Sequence, residues 1–174
     1  DTDAQSHIKL LVNAGFEQAL EPDAKVDIGA GVAYTRGLDG GGDTFLTANV
    51  TVDKNFQDSV MTLAYERDIT NPTGLTDEIS IRDTLTFVWD HTLKRDLFAS
   101  FYAGLAKNRT EPDHRVDINS YIAEVSGNWR PRRWVIIGAG LSHYQQWPGD
   151  NLGIGLTRNK VFLNVTFIGG EWRF

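Results

Sequence analysis

Four histidines, at positions 7, 91, 114 and 143, supply all the imidazole in a chain of 174 residues that has no cysteine. None has a partner at the spacing of an HExxH motif, and without thiolates the common zinc patterns are absent. No metal and no cofactor is expected. His143, within Leu141–Asp150, is the best-placed candidate for catalysis. A general base needs a nucleophile within hydrogen-bond reach. Ser142 is adjacent in sequence and on a strand points to the opposite face, whereas the same-face position two residues on is Gln145, which cannot attack. No enzymatic activity is expected. The glycines at 37, 40, 41 and 42 lack the lysine and following helix of a phosphate-binding loop.

The remaining chemistry lies in charge. Glu17, Asp27, Glu66 and Glu124, with Lys9 and Arg82, recur at positions where the chain alternates apolar and polar. Such a set forms either a mutually satisfied network or the lining of a polar path. The elements that must position it are strands, because period-2 alternation runs from end to end and no helical period emerges. Leu10, Val12 and Phe16 share one face against Lys9 and Glu17; Val26, Ile28 and Val32 oppose Asp27; Val50 opposes Asn49; Leu63 and Tyr65 oppose Glu66. Leu85, Phe87 and Trp89 oppose Arg82; Phe101 and Leu105 oppose Tyr102; Val125 and Trp129 oppose Glu124; Val135, Ile137 and Leu141 oppose glycine and serine; Leu163 and Val165 oppose Asn164.

Composition separates the all-β alternatives. The content is 41% hydrophobic and 23% charged, which suits one domain over 1–174, and the net charge of −6 argues against a nucleic-acid partner. Mean hydropathy is −0.31, the value of a soluble protein. A membrane barrel averages to a similar figure, because its strands alternate. A small soluble barrel needs large side chains inside, yet the polar face here is Thr, Ser, Asn, Gly and charge. The predicted fold is an antiparallel up-and-down transmembrane β-barrel with about nine visible strands. Its lumen-facing candidates are Lys9, Glu17, Asp27, Asn49, Glu66, Arg82, Tyr102 and Glu124. A soluble ligand-binding calycin-like barrel, the rival, would need a helix or an apolar cavity.

Connections alternate in length. Short ones are expected at Glu21–Lys25, Asp53–Gln57, His91–Arg95 and Arg130–Arg133, and longer ones at Gly37–Asp43, Asp68–Asp77, Asn108–Arg115 and Trp147–Asn159. Phe16, Trp89, Trp129, Trp134, Trp172 and Phe174 fall near the short-turn end, and Tyr34, Tyr65 and Tyr144 near the other. These are the candidate membrane-interface aromatics. Trp134 and Tyr144 have the wrong parity, which predicts a bulge in that strand; another is expected at Gly169-Gly170. Nine is an odd number for a bacterial barrel, which leaves a strand miscounted within Asn151–Phe174, upstream strands missing, or a barrel completed by another chain; upstream strands are expected, with the chain as the C-terminal part of a larger barrel.

The segment Asp83–Arg109, a strand, a short charged turn, a strand and a polar loop, resembles the repeating hairpin of the β-barrel porins of exopolysaccharide-export gene clusters. The ending Asn159–Phe174 is similar to theirs. The resemblance implies an outer-membrane conduit for polysaccharide or other polar solutes, in contact with outer-membrane lipid and with other subunits of an envelope complex. Alternatives are a small structural or anchoring barrel, or a subunit of a multi-chain barrel. The position of His143 also resembles that in the lipid A deacylase barrels, but Gln145 stands where their nucleophilic serine would be.

Overall fold

The computed structural model describes residues 8–36, 42–70, 79–111, 117–149 and 155–168, with the backbone alone for Ile8, Lys9, Thr35, Arg36 and Thr70. Nine strands form one sheet: β1 (Ile8–Glu21), β2 (Ala24–Arg36), β3 (Gly42–Asn55), β4 (Ser59–Thr70), β5 (Ile79–Lys94), β6 (Leu97–Glu111), β7 (Asp117–Arg132), β8 (Val135–Pro148) and β9 (Leu156–Phe167). Each strand pairs antiparallel with its sequence neighbour, so the sheet is a continuous up-and-down meander. Among the described residues β1 and β9 each pair on one side only, and the sheet is open.

The connections alternate as the sequence implies. Residues 22–23, 56–58, 95–96 and 133–134 join strands at one end, and 37–41, 71–78, 112–116 and 149–155 at the other. Two of the short turns lie further along than expected. His91 belongs to β5, and the residues expected to turn at 130–132 continue β7. Register shifts between Thr92 and Lys94 and between Trp129 and Arg132 absorb the difference. Pro131 sits within the second shift, where a missing amide costs no ladder bond.

The bulge expected in β8 is absent. Its register with β9 is unbroken from Val135↔Phe167 to Gln146↔Leu156. Tyr144 pairs with Ile122 and Arg158 and therefore belongs to the polar face, while Trp147 lies on the opposite face and Trp134 in the turn. Trp172, Phe174, the Gly169-Gly170 position, His7 and His114 lie outside the described residues.

Conventional burial is slight. Ala33, Ile69, Ile79 and Ile81, with Phe45 against them, form a small core at the long-connection end. It lies beyond Ala48↔Arg67, where β3–β4 pairing stops. The turn at 22–23 is tied by Lys54, whose Nζ donates to Glu21 Oε2 at 2.7 Å and to Asp23 Oδ1 at 3.1 Å. The Lys54 hydrogen bond holds the Asp23 carboxyl below its ordinary value of 3.8. The folded form is thus favoured while Asp23 is ionised. That contribution is complete above about 3.8 and is lost as pH falls through the lower folded value. Lys54→Met is expected to return the Asp23 titration, followed by NMR, towards its ordinary position.

Candidate functional site

Residues facing each other across an antiparallel pair share a face, so the register sorts the sequence into two surfaces. Lys9, Glu17, Asp27, Asn49, Glu66, Arg82, Tyr102 and Glu124 all fall on one, by an unbroken chain of partners from Glu17↔Asp27 to Tyr102↔Glu124. They divide into two groups along the sheet. Towards β1, Lys25 Nζ meets Glu17 Oε2 at 3.1 Å and Asn49 Nδ2 donates to Asp27 Oδ1 at 3.2 Å. Gly29 beneath Asn49 leaves the space this amide occupies, since a Cβ there would collide with its Oδ1.

In the middle of the sheet, Glu66, Arg82 and Tyr102 line a hollow of about 450 Å³, together with Asp68, Ser120 and Tyr144. Asp68 stands directly opposite Arg82, and Tyr144 opposite Ile122. The side chains of Glu66, Arg82 and Glu124 make no hydrogen bond or ion pair among the described residues. Charge without internal partners on a concave, hydroxyl-rich surface is suited to exchange contacts with water and polar solutes. Lys25, Asp68, Tyr144, Arg158 and Lys160 also belong to this face. Their parity with Asp27, Glu66 and Asn164 is the signal in the sequence; Arg158 lies in the stretch expected as loop, into which β9, beginning at Leu156, extends.

The opposite face is apolar and uncovered. Val161 is 79% exposed, Leu163 74% and Phe167 70%. The face carries Phe16, Tyr34, Tyr65, Trp89 and Trp129 near its two ends, as their partners Ile28, Leu10, Leu85, Phe101 and Ile137 establish. Its boundaries run obliquely. The row of Phe16 passes through Ile28, Val50, Tyr65, Leu85, Leu105, Tyr121 and Gln145 to Thr157. Phe167, the aromatic closing the same end on β9, lies ten residues beyond Thr157, across eight strand steps.

The other boundary descends in parallel. Ala30 lies in the row of Arg67, Asp83, Lys107, Asn119 and Trp147. On β2 the edge is Tyr34, four residues above Ala30; on β8 and β9 it is His143 and Asn159, four residues below Trp147. That is eight residues over seven steps. With a rise of about 3.4 Å per residue and strands about 4.8 Å apart, both boundaries, taken from their first strand to their last, cross the strands at about 40° to the perpendicular row.

Polar groups ring the long-connection edge. Tyr65 Oη donates to Asp83 Oδ1 at 2.8 Å, with Arg67 Nε at 3.7 Å from the same oxygen. His143 is held at both nitrogens, Nε2 by Tyr121 Oη at 2.9 Å and Nδ1 by Asn159 Oδ1 at 2.5 Å. Ser142 lies on the other face, opposite Glu124. The Tyr121–His143–Asn159 chain ties β7, β8 and edge strand β9. His143→Leu is expected to speed amide exchange over 156–160 and leave β4–β5 unchanged in the same hydrogen-exchange experiment.

Comparison with protein-family models, with curated proteins and with solved structures finds no match for this chain.

Proposed function

We propose that these nine strands are wall of a bacterial outer-membrane β-barrel, a non-catalytic pore or export conduit for polar solutes or polysaccharide. One observation carries the reading: an exposed apolar band, bounded on both sides by aromatic and polar groups, crosses the sheet obliquely. A soluble sheet covers its apolar face, and exposed apolar patches of this extent mark an apolar partner. A flat partner would impose boundaries of any slope. A bilayer imposes horizontal ones, and strands in membrane barrels tilt by 35–45°. The slope of about 40° lies within that range.

The dimensions agree. On β6 the band runs from Leu105 to Leu97, eight residue steps. This is about 27 Å along the strand and about 21 Å along an axis tilted by 40°, against a hydrocarbon-facing band of about 25 Å. Strands of 12 to 16 residues exceed the nine to eleven that a span needs. The opposite face would line the lumen, with Glu66, Arg82, Tyr102 and Glu124 exposed to what passes.

The chain refolded into lipid vesicles is expected to resist added protease over the strands and to migrate differently on a gel before and after boiling. A folded, monodisperse protein in detergent-free buffer would overturn the membrane reading. Membrane insertion without ion conductance or solute flux, in the full-length protein taken from its native membrane, would overturn the conduit and leave a structural anchor.

A further inference from the structure

We infer that the sheet is completed by an odd number of further strands of the same polypeptide, antiparallel to both β1 and β9, and by neither a second copy nor direct β1–β9 contact. The inference rests on the membrane reading above. Its premises are the direction of the two edges and the chemistry they leave open.

β1 ends in the short turn at 22–23, and β9 begins after the long connection at 149–155. Both therefore run from the long-connection end to the short-turn end, parallel to each other. Both are unpaired on one side and exposed along nearly their whole length. In hydrocarbon every unpaired N–H and C=O costs several kcal/mol, so these edges must be bonded. The apolar band reaches both edges at full width, Leu10 to Phe16 on β1 and Val161 to Phe167 on β9, with no polar margin to mark where the wall stops.

Three occupants could seal the gap. Direct closure would pair β1 with β9 in parallel, against eight antiparallel pairings in the sheet. It would also make a nine-stranded barrel, whose interior is about filled by side chains. Glu66, Arg82 and Glu124 would then be crowded into that filled interior, where burying charge carries a high desolvation cost. A second copy side by side would create two parallel seams, β9 against β1 of its neighbour. Inverting that copy would give antiparallel seams but place long connections on both sides of the membrane. Of the three, an odd number of further strands makes every seam antiparallel, keeps long and short connections on opposite sides and enlarges the lumen around Glu66, Arg82 and Glu124.

The absence of cysteine permits a direct test. Val12 or Leu10 on β1 and Val161 or Leu163 on β9 are replaced by cysteine in pairs, in the full-length protein in its native outer membrane. The polypeptide is then oxidised and its intact mass measured. The expected result is a mass above 19.4 kDa and no disulfide for any pair. An intramolecular disulfide would establish direct closure, a disulfide-linked dimer would establish a second copy, and a polypeptide of 19.4 kDa in the membrane would exclude further strands. Each overturns the inference while leaving the membrane reading intact. Recovery of the protein from the soluble fraction would instead overturn the membrane reading itself.

Discussion

Leu163→Arg is expected to destabilise the protein in lipid vesicles by about 2–4 kcal/mol, the cost of arginine on the lipid face near the midplane of a membrane barrel. Leu163 is 74% exposed and stands within the band from Val161 to Phe167. In a soluble protein an exposed leucine tolerates this change within about 0.5 kcal/mol, so the size of the effect discriminates between environments. Phe87→Arg, mid-band on β5, should behave alike. Thr86→Arg places the same charge one residue away, in the hollow on the polar face, and should cost less than about 1 kcal/mol. Equilibrium unfolding by denaturant from vesicles reads all three. Equal costs at positions 86 and 87 would remove the distinction between the faces.

The second large effect comes from backbone spacing. Gly140→Ala would put a Cβ into the Phe162 ring and 2.8 Å from the carbonyl oxygen of Val125. The ring can turn, but the carbonyl belongs to the β7–β8 ladder and cannot yield without breaking it. A loss of about 1–3 kcal/mol is expected, as for overpacking elsewhere. Gly127→Ala is the control, since a Cβ there meets only Phe98 O at 3.8 Å. Removing chain entropy from the unfolded state should stabilise this variant by about 0.5–1 kcal/mol. Opposite signs for two glycines facing opposite sides of adjacent strands would show that local space decides, and a loss at both would refute it.

Much of the site was legible because face membership is a local property. Glu17, Asp27, Glu66 and Glu124 each follow an apolar or aromatic residue within an alternating run, and this parity assigns them to one side whatever they pair with. The same rule would have included Lys25 and Asp68. Tyr144 stands at the distance from the turn that suits the aromatic rim, but its parity places it on the polar face. The rule failed for the turn at 133–134 because Arg130–Arg132 resembles turn sequence, while pairing with β8 prolongs the strand through a bulge.

The sequence alone determined the strands, their up-and-down order and the two chemically distinct faces. Those follow from a period of two along the chain and from connections too short to do anything but return the next strand beside the last. Only the tertiary structure decided which rows align across nine strands. It thereby set the slope of the apolar band, the pairing of Glu17 and Asp27 but not of Glu66 and Arg82, and the parallel direction of the two open edges. The physical reason is that register is fixed between strands, by ladder hydrogen bonds and by bulges beside the turns. A slip of two residues keeps every side chain on its face, so alternation carries no record of it.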